Sequence, residues 1–203
     1  MPTIRDALNA LVRDIAACTT CDAHLPLGPR PVVRLKSQTR ILIIGQAPGT
    51  RVHESGIPWD DKSGDRLRAW LGVDSATFYN SPYIGIMPMG FCYPGANPKG
   101  GDNPPRPECA PLWHDAALCL MPEVSLTLLV GQYAQARYLG ATRYKTMTET
   151  VRHWRDYMTA DITSQVLPTP HPSWRTTGWL KKNPWFEVEI LPILRARVAE
   201  LTQ

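Results

Sequence analysis

The apolar residues of this chain fall into short unbroken blocks, separated by longer stretches in which they recur every three or four positions. Residues 40–44 (Arg-Ile-Leu-Ile-Ile) form the clearest block, ending at Gly45, and predict a buried parallel strand followed by a tight turn. Residues 83–87, 125–130 and 165–169 predict three more strands on the same grounds. Between them the spacing is helical. Residues 3–17 carry Ile4, Leu8, Leu11, Val12 and Ile15 on one face, with Thr3 placed to cap and Asp6 three residues on. Residues 63–72 predict a helix opened by a small polar residue and closed by Gly72. Further helices are predicted over 107–121, from Gly131 through Leu139, over 148–158 and over 184–201.

Strands that alternate with helices imply an α/β fold with a mostly parallel sheet covered on both faces, a three-layer α/β/α sandwich. At 203 residues the chain can bury one sizeable core, so residues 1–203 are expected to form a single domain. There is no internal repeat. Residues 94–107 are the one long irregular stretch, and several of the 20 prolines fall in it. No run approaches the ~18 apolar residues that a membrane span needs, which makes a soluble, cytoplasmic, monomeric protein the expectation. The formal charge of +4 is compatible with a polyanionic partner without requiring one.

Five cysteines are too many for two closed disulfides and too few for three, so metal binding or simple burial is the better reading of them. Cys18, Cys21, Cys92 and Cys109 are spaced C-x2-C-x70-C-x16-C. By ligand type, four thiolates suit a [4Fe–4S] cluster or Zn²⁺, and both stay open on this ground. Cys119, between Leu118 and Leu120, is expected to be a small buried hydrophobe. Two turns stand out besides: Gly45-Gln-Ala-Pro-Gly49 after the first strand, and His171-Pro-Ser173 after the fourth. Both occupy the carboxyl edge of the expected sheet, where α/β proteins place their ligands.

Taken together, these motifs resemble the uracil-DNA glycosylase superfamily, and most closely its family-4 branch, whose members carry a four-iron cluster. The first turn of that branch reads Gly-Glu-Ala-Pro-Gly, with Gly-x-Pro-Phe and a small residue followed by Gly after it. Here the matching residues are Gly45 to Gly49, Gly56-Ile-Pro-Trp59 and Ser63-Gly64. The third and fourth cysteines and the closing His-Pro also fall in the family's order.

The resemblance implies a DNA glycosylase acting on DNA that contains a damaged or deaminated base. Gly45, Ala47, Pro48 and Gly49 are expected to approach the base through their backbone, Trp59 to stack on it, and Ser173 to border it. His171 is expected to donate a hydrogen bond to the oxygen where negative charge develops. Trp174 would wedge into the stack, and Lys62, Ser63, Arg66, Arg175, Lys181 and Lys182 would contact the backbone. The four spaced cysteines would hold the [4Fe–4S] cluster as a structural pin. Two residues depart from the family. Gln46 stands where the family has Glu, able to orient water but not to take its proton. Pro88 stands where the family has an Asn that reads the uracil edge. Asp60 and Asp61 are the nearest carboxylates that could activate water in place of that Glu, with Glu54 and His53 as weaker choices; Asp61 fits a helix cap, which leaves Asp60 as the catalytic candidate. A non-catalytic nucleic-acid or nucleotide binder of the same fold is the alternative.

Overall fold

A computed structural model describes residues 3–158 and 165–203. At its centre lie four parallel strands, β1 (Ile41–Ile44), β2 (Ile84–Ile86), β3 (Leu126–Val130) and β4 (Gln165–Thr169), in the order β2-β1-β3-β4. Ile41 pairs with Ile84 on one side and with Leu126 on the other, and Leu126 pairs in turn with Gln165. Every residue of β1, β2 and β3 is buried, as strands covered on both faces must be.

Alternate side chains of the sheet feed two cores. Ile41, Ile43, Ile84 and Leu128 pack with Leu67 and Trp70 of α3 (Lys62–Leu71), with Phe186, and with Leu194 of α9 (Leu191–Leu201). On the other face Leu42, Ile44 and Leu129 meet Leu8 and Ile15 of α1 (Ile4–Ala16), Ala117 of α5 (Asp115–Cys119) and Ala134 of α6 (Gln132–Leu139). This is the three-layer sandwich that the alternation of elements predicts. A buried Phe186 is worth ~1.5–3 kcal/mol of transfer free energy, so the cores, and not helix propensity, hold these short helices in place.

Local chemistry sets the ends. The Thr3 hydroxyl accepts the Asp6 N–H at 3.2 Å while the Asp6 carboxylate accepts the Thr3 N–H at 3.1 Å, the capping box expected there. α3 is capped by Asp61, which accepts the Gly64 N–H at 2.8 Å, and is closed by Gly72 at φ 70°. The helix expected over 107–121 opens as a wide π turn, Ala110–His114, and only then becomes α5. Pro111 has no N–H to give to the ladder, and the turn widens around it. α7 (Met147–Arg152) is shorter than expected and passes into a 3-10 turn, Trp154–Asp156. Three further helices, α2 (Thr50–Ser55), α4 (Ser75–Asn80) and α8 (Thr176–Lys182), are too short to show a full period in the sequence. Cys119 is exposed at the end of α5, contrary to its expected burial. It lies two residues beyond the buried Ala117, about 200° round the helix.

The chain leaves β1 for β2 on one side and then crosses to β3 on the other. Connections that diverge in this way open a crevice at the carboxyl ends of the strands. Among the described residues no helix is long and apolar enough to cross a membrane.

Candidate active site

The crevice is a cleft of ≈ 560 Å³. Gly45, Gln46, Ala47, Pro48 and Gly49 line it from the turn after β1, Trp59 from the approach to α3, Ser63 from its first turn, and His171, Ser173, Trp174 and Arg175 from the turn after β4. Three separate motifs of the sequence thus meet in one place. Asp60 stays outside the lining and lies 3.9 Å from Arg51. Lys62, Lys181 and Lys182 are exposed and also lie outside it. Arg66 directs one terminal nitrogen to the Ser173 carbonyl at 2.7 Å and the other to the Thr177 hydroxyl at 3.1 Å, so it braces the His171–Ser173 turn from within.

Trp59 is the only described residue other than glycine with a positive φ, 59°. A left-handed tryptophan costs on the order of 1–3 kcal/mol and persists only where its surroundings hold it. They do so here through a local clamp. Arg68 donates to the Trp59 carbonyl at 3.2 Å and to the Tyr79 hydroxyl at 3.0 Å, and that hydroxyl donates to the Pro58 carbonyl at 3.1 Å. A Cβ on Gly64 would lie 1.7 Å from the Trp59 oxygen, and one on Gly45 would lie 2.9 Å from the indole. Both glycines are therefore required by the tryptophan between them. The indole is tilted against His171 with ring centroids 5.6 Å apart.

Burial lowers the pKa of His171 below the usual imidazole range, and the charge of Asp61 opposes the shift only in part. The ring is accordingly neutral near pH 7, a hydrogen-bond donor through one nitrogen. Its carbonyl accepts the Thr176 hydroxyl, which fixes the turn. In the first turn the carbonyls of Gly45 and Gln46 accept the N–H groups of Met89 and Gly90, each at 2.9 Å. Pro88 reaches the cleft without a polar side chain, and its carbonyl faces inward to His114 Nε2 at 3.1 Å. A carbonyl can only accept, so Nε2 carries the proton and Nδ1 takes the Tyr138 hydroxyl at 2.7 Å.

Sequence reasoning missed Gly101, Asp102, Gln132 and Tyr133, which also line the cleft. Gln132 and Tyr133 begin α6 directly after Gly131 at the end of β3, the same strand-to-glycine signal that marks Gly45. Asp102 had one signal, as the only acidic residue of the 94–107 loop.

Cys18, Cys21, Cys92 and Cys109 line a second pocket together with Leu25, Phe91, Arg106 and Trp113. All four are free thiols. Burial pushes Cys92 and Cys109 up to about 11, although the Arg30 backbone and the Phe91 N–H, at 3.4 Å from Cys109 Sγ, pull the other way. Burial also raises Cys21, opposed by a hydrogen bond from Arg106. The indole nitrogen of Trp113 is buried without a partner. No three His, Cys, Asp or Glu among the described residues are grouped so as to hold a metal ion.

Comparison with known families agrees: the model of the Uracil DNA glycosylase superfamily matches residues 33–195, most of the chain and every cleft residue named above.

Proposed function

The chain belongs to the uracil DNA glycosylase superfamily, and we propose that it hydrolyses the N-glycosidic bond of a damaged or deaminated base flipped out of DNA, a step of base-excision repair. The observation that carries this reading is a neutral His171 facing the same cleft as the clamped Trp59 and the Gly45–Gly49 turn. The flipped base stacks on Trp59, whose position is fixed before the base arrives. His171 donates its N–H to the base oxygen on which charge accumulates as the bond to the sugar breaks. A donor held ready in a desolvated site contributes most where that charge develops. Trp174, 77% exposed, fills the space that the base leaves, and Arg175, Lys62, Lys181 and Lys182 meet phosphates.

The four cysteines of the second pocket fit the [4Fe–4S] cluster of the family-4 branch. They are free, they share one pocket, and the unpartnered Trp113 N–H and the Arg106 guanidinium supply donors for sulfur. By ligand type four thiolates suit iron-sulfur and zinc alike, and it is the resemblance to the family-4 branch that favours the cluster. Bound there, the cluster supplies a structural cross-link between the segment after α1 and both roots of the 94–107 loop.

Excision from a panel of single- and double-stranded oligonucleotides bearing uracil, hypoxanthine, xanthine or alkylated bases tests the reading. His171→Ala should lower the single-turnover rate ~100-fold or more while DNA affinity stays within a few-fold. A second reading, a binder without chemistry, draws on Gln46 and Pro88, which remove the family's carboxylate and its uracil-reading amide. A wild type that binds DNA but releases no base from the panel would establish it.

A further inference from the structure

The loop of residues 94–107 folds back over the first turn of the cleft, and its internal bonds give it a defined shape. Ala96 and Asp102 form an antiparallel bridge, the Asn103 N–H donates to the Gly95 carbonyl at 2.8 Å, and the Asn103 amide donates to the Pro94 carbonyl at 3.1 Å. Two outside contacts seat it. Gln46 Nε2 donates to the Asn103 carbonyl at 3.5 Å. The Arg175 guanidinium lies against Gly100 and Gly101, where an added Cβ would come within 3.2 Å and 3.0 Å of its nitrogens. Asp102 is thereby held at the mouth of the cleft, its carboxylate 3.5 Å from where a Cβ on Gly49 would stand.

Resting on the glycosylase reading, we propose that Asp102 supplies the water-activating carboxylate and that Gln46 is the residue that holds it there. A carboxylate at position 46 could not donate to the Asn103 carbonyl and would repel the neighbouring Asp102. An amide does the first and avoids the second. Gln46 is then the partner of a carboxylate that stands elsewhere, and not a defective version of one. In the reaction the C1′–N bond breaks and its electron pair leaves with the base. The water oxygen forms the new bond to C1′, Asp102 takes one proton from that water, and the departing base is neutralised by a proton from solvent. The charged groups that face Asp102 are Asp61 ahead of α3 and Arg175 after β4, with the titratable His171 in the same cleft; Gly49 at the start of α2 brings no charge. Loss of hydration and the Asp61 charge both raise the Asp102 pKa, and Arg175 lowers it, which leaves it a better proton acceptor than an ordinary exposed aspartate.

The test is single-turnover excision, as a function of pH, on whichever base of the panel the wild type releases. Asp102→Asn, which keeps the side chain's size, should lower the rate ~100-fold with DNA affinity unchanged, and should abolish the acid limb of the profile. Asp61→Asn, which keeps a capping oxygen, should move that limb to lower pH because it withdraws the charge that raises Asp102. Gln46→Glu should lower the rate and increase amide hydrogen exchange in the loop. An Asp102→Asn variant at wild-type rate, or a larger loss in Asp61→Asn, would overturn the assignment while the glycosylase reading stands. Unchanged loop exchange in Gln46→Glu would overturn the tether. A wild type that releases no base removes both readings, and is seen without any variant.

Discussion

The cleft and the cysteine pocket both change the ionisation of their residues by burial, with opposite consequences for what each must do. In the cleft, burial keeps His171 uncharged, which is the state that donates one hydrogen bond to a developing oxyanion and adds no charge to the ground state. In the pocket, burial pushes Cys92 and Cys109 up to about 11, away from the thiolate that binds metal. The protein itself sets the protonation state that the cleft needs. On the proposed reading the pocket would need more positive charge than Arg106 brings, and its thiolates would form only together with the cation that they bind. The two regions are joined by the 94–107 loop, with Cys92 and Cys109 at its roots and Asp102 at the cleft.

The largest expected effect tests the pocket. Cys109→Ala should remove the iron, the brown colour and the broad absorbance near ~400 nm from anaerobically purified protein. Cys119→Ser should leave all three unchanged, since that thiol points to solvent. Iron analysis decides it, and full iron in Cys109→Ala would mean that the pocket does not differ from the cleft in the way argued.

The next effect concerns the residue that lies between the regions. His114 stacks on Phe91 of the cysteine pocket, with centroids 5.6 Å apart and planes inclined by 13°, and holds Pro88 of the cleft. Burial pushes its pKa down to about 4 from an ordinary 6.5. The unfolded chain therefore binds a proton that the folded ring refuses, so stability is complete above pH 6.5 and is lost as pH falls towards 4. At the foot of that window the loss is ~3 kcal/mol. Urea midpoints at pH 7.5 and 4.5 measure it. His114→Gln should be less stable at pH 7.5 but much less sensitive to acid, and an equal acid response in both proteins would rule His114 out as its source.

How far the sequence reaches is visible in these same residues. The four strands and the capping box at Thr3 were legible because their signals are local: an apolar run, or a cap and its partner three residues on. The Gly45–Gly49 and His171–Ser173 turns were legible because strand ends announce themselves. Asp102 was not, since its place depends on a bond between Gln46 and Asn103, 57 residues apart. The brace that Arg66 gives the His171–Ser173 turn was hidden for the same reason: its partner, the Ser173 carbonyl, is 107 residues away, and a basic residue read alone shows only its charge. The flanking leucines of Cys119 gave its neighbourhood but not its side of the helix.

The smallest expected effect asks whether DNA binding belongs to the cleft side alone. Lys181 and Lys182 end α8 exposed, on the helix that follows the His171–Arg175 turn. A lysine that neutralises one phosphate releases about one counterion, so each such contact adds ~0.9 to the slope of log affinity against log salt. Replacing both with Ala should flatten that slope by up to ~1.8 on duplex and ~1.4 on single strands, the difference being the lower charge density of the single strand and not the loss of a stack. Trp174→Ala should act differently, weakening duplex binding more than single-strand binding, since only a duplex leaves a stack to refill. Affinities measured between 50 and 200 mM salt, orders of magnitude that the method resolves, separate the two. If the slope is unchanged in the double variant, α8 is not part of the DNA surface. If Cys109→Ala flattens the slope as much as the double lysine variant does, the surface depends on the pocket as well, and the division between the two regions fails at the point where they meet DNA.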